Sequence, residues 1–277
     1  MGPSVRGVKK GAAASVGAVS LALVAAGCGG SSSASVAGVD VVQKDALTVC
    51  THLPYKPFQY RDSKGKVVGF DVDMIGLLSK ELGVKQATVD VDWNQVTSGA
   101  AFTAGKCDLG MGGMTITPER AKAILISKPY FNATQALLVR KDSPYKSLAD
   151  LKGKKVAVQT DTTGQIYGNK YAKQYGYTTV TYDDFALEVN AVKAGTLDAG
   201  INDNGVLYDF AKDNPTTSVA TEFNTGEKYG FAAKKNDANA TKLMNKLDAA
   251  IAKAKQDGDY DKIYKKWFGT VPGNINK

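Results

Sequence analysis

Residues 108–120 read Asp-Leu-Gly-Met-Gly-Gly-Met-Thr-Ile-Thr-Pro-Glu-Arg. They contain a strand, a tight turn and a helix start in immediate succession. The apolar run of residues 109–111 predicts a strand that spans 108–114. Thr117 suits a helix N-cap and Pro118 the first helical position. Arg120 then falls in the first turn, where the helix dipole disfavours a cation and a capping box would place Glu or Gln. An arginine held there points to a bound anion. Gly112 and Gly113 would let a ligand approach the backbone closely.

Working outward, strand-like and helix-like runs alternate. Residues 47–51 predict a strand and 69–82 a helix with Val72, Ile75, Leu78 and Leu82 as its apolar face. Residues 87–93 predict a strand and 96–104 a helix. This βαβαβ order implies parallel strands covered by helices, with binding loops beyond the carboxyl ends of the strands. Those loops are 51–58, 92–94 and 113–117. The pattern then recurs. Strands at 154–159, 178–182 and 198–202 alternate with a helix from the 160–164 loop to 171, and with helices at 186–194 and 206–212. Extended apolar runs at 136–140 and 229–233 join the two units. A helix at 238–255 precedes an aromatic-rich tail at 257–269, whose rings read as core.

The N-terminal end has a different composition. Arg6, Lys9 and Lys10 precede a small, apolar, glycine-rich run at 11–26, too short for a comfortable membrane span. Val-Ala-Ala-Gly-Cys at 24–28 resembles a bacterial lipoprotein signal with Cys28 as the lipidated residue, although Ala25 stands where such signals prefer leucine. The alternative is an ordinary export signal with a stray cysteine. Residues 1–27 are therefore expected to be a signal peptide and 28–45 a flexible tether. The formal charge is +8, of which the leader carries three. The lysines are scattered and not clustered with aromatics, so no nucleic-acid partner is expected. Cys50 and Cys107 remain, an even number in an oxidising place. They either pair or stay as buried thiols, and pairing is favoured. With one histidine, His52, and no Cys-x-x-Cys, neither a zinc site nor a Ser-His-Asp triad has its parts; no metal or cofactor is expected. Asp71 and Asp73, in a helix's first turn, read as capping and dipole complement.

Several stretches, in order along the chain, resemble the family 3 extracellular solute-binding proteins, which deliver polar amino acids to ABC importers. They are Leu-Thr-Val-Cys-Thr at 47–51 with Tyr55, Pro57 and Phe58, Val-Gly-Phe-Asp-Val-Asp at 68–73, and Met-Thr-Ile-Thr-Pro-Glu-Arg at 114–120. Ser-Leu-Ala-Asp-Leu-Lys-Gly at 147–153, Val-Ala-Val-Gln-Thr at 156–160 with Thr-Thr-Gly at 162–164, and Lys-Trp-Phe-Gly at 266–269 complete the set. The resemblance implies a two-lobed α/β fold of the type II periplasmic-binding-protein kind, with two crossover hinge strands and a ligand cleft between the lobes. Lobe 1 would comprise 46–135 and 230–277, and lobe 2 would comprise 136–229. It also implies a monomer, lipid-anchored on the outer face of the cytoplasmic membrane, whose partners are a free L-amino acid and an ABC permease.

A free amino acid carries a carboxylate and an ammonium on one carbon, and burying both demands paired charges and directed hydrogen bonds. By resemblance, Arg120 would clamp the carboxylate, with the backbone N–H groups of Thr115 and Thr163 completing the cradle beside Thr162. Asp203 would pair with the ammonium, which would also donate to the Thr115 hydroxyl and the Gly113 carbonyl. Tyr55 and Trp93 would stack on the ligand side chain, and His52, Gln159 and Asn202 would meet its end. Asp161 stands where the family more often has glycine. His52 stands where several cationic-ligand relatives have aspartate, so a polar neutral or acidic amino acid is expected, with glutamine or glutamate first. The alternatives are a basic-amino-acid binder and a secreted dehydratase on the same fold. A dehydratase needs a positioned acid or base, for which only His52 and Asp161 are candidates.

Overall fold

The computed structural model describes residues 34–270; the signal-peptide reading of 1–27 and the lipidation reading of Cys28 lie outside the described residues. The described chain begins with a hairpin of β1 (Ala34–Val36) and β2 (Val39–Val41). β3 (Ala46–Thr51), β4 (Tyr60–Arg61) and β5 (Val67–Val68) lead to α1 (Phe70–Leu82). Then come β6 (Lys85–Asp90), α2 (Trp93–Thr97), α3 (Ala100–Thr103), β7 (Leu109–Gly110), α4 (Pro118–Ala123) and β8 (Ile124–Ile126). The long β9 (Phe131–Arg140) opens a second unit of β10 (Lys155–Gln159), α5 (Thr163–Tyr175), β11 (Thr178–Tyr182), α6 (Phe185–Lys193), β12 (Ala199–Asp203) and α7 (Asn204–Asp213). β13 (Thr217–Tyr229) then leads back to β14 (Ala232–Lys234), α8 (Ala238–Asp257) and α9 (Asp259–Phe268).

Two five-stranded sheets result, ordered β6-β3-β7-β14-β8 and β11-β10-β12-β9-β13. The expected two-lobed α/β architecture is thus present. The strands within each βαβ pattern are parallel, as expected: β3 with β6 and β7, and β10 with β11 and β12. The remaining pairs are antiparallel: β14 with β7 and β8, and β9 with β12 and β13. Both sheets are therefore mixed.

Helix α1 buries Phe70, Met74, Ile75, Leu78 and Leu82, the last three on the spacing read from sequence. The tail aromatics pack, as expected. Phe268 meets Phe58 at 5.6 Å, Phe70 at 5.3 Å and Phe131 at 5.3 Å between ring centroids. Cys50 on β3 and Cys107 just before β7 form a disulfide across 5.6 Å between Cα atoms. It closes a separation of 57 residues, which in the chain-entropy account stabilises the fold by about 4 kcal/mol.

Five expectations need correction. Residues 34–41 do not behave as a tether: Val39 and Val41 are buried, and the Asp40 N–H donates to Asn239 on α8 at 2.7 Å while Asn239 donates back to the Asp40 carbonyl. Alternating apolar residues drive this packing, which a composition reading overlooks. The strand expected at 108–114 stops at Gly110, since the backbone beyond turns to another partner described below. The helix expected at 96–104 is two short helices broken at Ser98 and Gly99. Trp93 begins α2 and does not end a strand. Asp71 and Asp73 make no capping bond to their own helix. Asp73 instead accepts from Lys266 at 2.6 Å and Trp267 at 2.7 Å, tying α1 to α9.

Candidate functional site

The loops that follow β3, β7 and β10, the start of α2 and the end of β12 converge on one cleft of about 380 Å³, its open mouth included. It is lined by His52, Pro54, Tyr55, Gln59, Trp93, Gly112, Gly113, Thr115, Arg120, Gln159, Thr162, Thr163 and Asp203. Of the residues expected from sequence, the cleft lacks only Asn202. That side chain lies behind the lining, where it accepts from the Tyr55 hydroxyl at 2.9 Å and donates to Glu188 at 2.6 Å.

Arg120 is set by the cap read from sequence, with the Thr117 hydroxyl accepting its backbone N–H at 3.1 Å. Its guanidinium donates to the Thr115 carbonyl at 2.9 Å and to the Asp161 carbonyl at 2.8 Å, and lies over the Trp93 ring at 5.6 Å from the centroid. Two of five N–H groups are so used. The rest of the planar fork can meet a carboxylate bidentately. Thr163 is the first residue of α5, after the N-cap Thr162, whose hydroxyl accepts from Gln165 at 3.1 Å. Its backbone N–H therefore belongs to the unpaired first turn that favours anions.

The glycines also have a second role. A Cβ on Gly112 would lie 2.4 Å from the Trp93 ring, and one on Gly113 would lie 2.9 Å from the Tyr55 ring. Their smallness makes room for the two aromatic rings. Their backbone is fixed by Asp71, whose Oδ2 accepts the N–H groups of Gly112 at 3.1 Å and Gly113 at 2.9 Å, while Oδ1 accepts the Tyr130 hydroxyl at 2.7 Å. This is the partner that takes the chain away from the sheet after β7.

Asp203 ends β12 and points into the cleft. Its carboxylate accepts from Tyr55 at 3.0 Å, from the Tyr229 hydroxyl and from the Gln135 amide. At the far end, His52 Nδ1 donates to the Val91 carbonyl at 2.9 Å, since a carbonyl can only accept. Nε2 is then an acceptor, and it is buried without a protein partner. Gln59 is 1 % exposed, and its Oε1 likewise has no partner.

A sequence model of the bacterial extracellular solute-binding proteins, family 3, matches residues 47–270. The chain belongs to this family. It is 36 % identical over 213 residues to a glutamine-binding protein of an ABC transporter from Bacillus subtilis (strain 168), covering 76 % of each chain. It is 32 % identical over 243 residues to an arginine-binding extracellular protein from the same organism, covering 87 % of this chain and 91 % of the relative. Among solved structures, an ancestral arginine-binding protein bound to arginine matches at a TM-score of 0.75 and 40 % identity, covering 82 % of this chain and 99 % of the other. Among the described residues of this solute-binding protein, no helix is long and apolar enough to cross a membrane.

Besides Gln59, four polar groups around the solute-binding protein's cleft went unread in the sequence. Gln135 and Tyr229 lie on β9 and β13, which looked like plain apolar connectors. Glu227 accepts from Thr115 and Thr163, and Glu188 backs Asn202. Burial and then the charge of Glu227 push the Asp203 carboxyl up to about 7. Burial pushes Glu188 well above the usual carboxylate range. Burial also works against the charge of Arg120, and Asp203 works in its favour. A cation on α4 and an acid at the end of β12 thus face one cleft.

Proposed function

We propose that this protein captures a free amino acid by closing its two lobes around it and hands it to the permease of an ABC importer. The single observation that carries this reading is the placement of Arg120 and Asp203, brought from α4 and the end of β12 to one cleft that can take a carboxylate and an ammonium together. We assign 46–135 and 230–277 to lobe 1, 136–229 to lobe 2, and the hinge to the ends of β9 and β13. Hinge closure around a ligand is the established behaviour of periplasmic binding proteins as a class. Here it would be favoured because only the closed form uses both groups at once. Cys28 would carry a lipid that keeps the protein at the outer face of the membrane, and the protein would work as a monomer.

The side-chain end of the cleft supports glutamine as the first ligand. His52 Nε2 and Gln59 Oε1 are acceptors without partners, so they suit a side chain that ends in N–H donors. Glutamate has none to give, and it would add an anion to a cleft already holding Asp203. Arginine has donors, but no carboxylate lines that end to meet its charge. A dehydratase is the weaker reading: Asp161 is exposed and does not line the cleft, and His52 faces the side-chain end.

A thermal-shift screen against the twenty amino acids tests this. Glutamine should give the largest shift, since ligand at a hundred times its Kd stabilises by about 2.7 kcal/mol. Arg120→Ala should abolish the shift. A screen in which arginine alone stabilises the protein would overturn the ligand, and one in which nothing does would overturn the function.

A further inference from the structure

Glu227 stands two residues before the end of β13, beside the two threonines that line the cleft from opposite sides. Its Oε2 accepts the Thr115 hydroxyl at 2.7 Å and the Thr163 hydroxyl at 2.9 Å. A threonine hydroxyl has one proton to give. With both protons directed to Glu227, the two hydroxyl oxygens, 3.3 Å apart, present only lone pairs to the cleft. Gln135 extends the same logic. Its Nε2 lies 3.2 and 3.1 Å from the Glu227 oxygens and also donates to Asp203. Its two protons are therefore directed at the two acids, although the Thr163 hydroxyl is a further neighbour at 3.2 Å. This corner of the cleft offers acceptors and negative charge, and Glu227 is the group that organises it.

The geometry points to Glu227 as the positioning residue of the ammonium subsite: by taking the protons of Thr115 and Thr163 it makes both hydroxyls acceptors, and with Asp203 it selects a primary ammonium over a neutral group at that position. This rests on the amino-acid reading given above. Without Glu227 the hydroxyls would be free to donate, and an α-hydroxyl group would become an acceptable substitute for the ammonium. The mutual charge of Asp203 and Glu227, unfavourable in a buried cleft, is what a ligand ammonium relieves.

Glu227→Gln keeps the shape and reverses the donor pattern. Its effect is read as a ratio by calorimetry, comparing the amino acid that most stabilises the wild type with the α-hydroxy acid of the same side chain. The expected result is a tenfold or greater loss of affinity for the amino acid and no loss for the hydroxy acid, so that the preference collapses. A merely structural role would weaken both alike and leave the ratio unchanged, and that result overturns the assignment. Thr115→Val supplies a second test should E227Q fold poorly: alone it should lower the same preference, and combined with E227Q it should cost less than the sum of the two. Strict additivity of that pair would also overturn the assignment. A wild type that binds no amino acid would remove the reading on which the inference stands. Binding that E227Q leaves undiminished would remove the inference alone.

Discussion

Asp203 is asked to be an anion where burial resists one. Its carboxyl sits at about 7, raised by burial and by Glu227 against the pull of hydrogen bonds from Tyr229, Tyr55 and Gln135. An ammonium pairs with the ionised form, so below pH 7 ligand capture must expel a proton. Affinity should fall about tenfold from pH 8 to pH 6, by the ratio of ionised fractions. Calorimetry in buffers of different ionisation enthalpy should find a proton released at pH 6. A Kd that stays constant over that range would disprove Asp203 as the ammonium partner. The unliganded protein has the opposite dependence. A group whose folded value lies above its unfolded one loses its stabilising contribution as pH rises, here between about 4 and 7. Asp71, pushed up to about 6 by burial, acts in the same direction over a narrower window.

The 112–120 segment behaves as one element, although its hydrogen bonds reach three others. Its C-terminal half was legible in the sequence because a cap is a local device: Thr117, Pro118 and Arg120 settle one another within a single turn. Its N-terminal half was not. Asp71 is 41 residues away from Gly112, and nothing in the run Phe-Asp-Val-Asp separates an acid that complements a helix dipole from one that reaches across to another loop. The same holds for Gln135, Glu227 and Tyr229, polar groups on strands whose partners are fixed only by long-range pairing. Gly112→Ala tests the segment directly. Its Cβ would overlap the Trp93 ring, and such overpacking costs about 1–3 kcal/mol. The expected outcome is a lower melting temperature together with weaker ligand binding, because the ring that must shift also braces Arg120. A variant that melts lower but binds normally would separate Trp93 from the function of Arg120.

At the scale of the molecule, the repeated βαβαβ pattern makes two lobes readable in the sequence, since each half carries its own strands and covering helices. What holds the lobes together was less readable, because cross-lobe contacts join residues far apart in sequence. Lys56, in the loop after β3, reaches Asp213 at 2.5 Å and Asp209 at 3.4 Å, both on α7 of the other lobe. The lysine is partly exposed, so the bridge contributes no more than about 1 kcal/mol and is screened by salt. Lys56→Met should therefore weaken ligand binding only a few-fold at low ionic strength, and should flatten the salt dependence of Kd seen in the wild type. An unchanged salt profile would show that closure does not use this bridge.

The hairpin of β1 and β2, fixed to α8 through Asp40 and Asn239, has a further consequence for an anchored protein. Were Cys28 lipidated, as proposed above, only residues 29–33 would separate the bilayer from the packed body. Six Cα–Cα steps reach at most about 20 Å. The cleft would then be confined to a thin layer above the membrane, where the local concentration of carrier around any permease in the same patch would be far higher than free diffusion gives. A leash this short would exchange reach for encounter frequency, and lengthening it would slow delivery while leaving capture untouched.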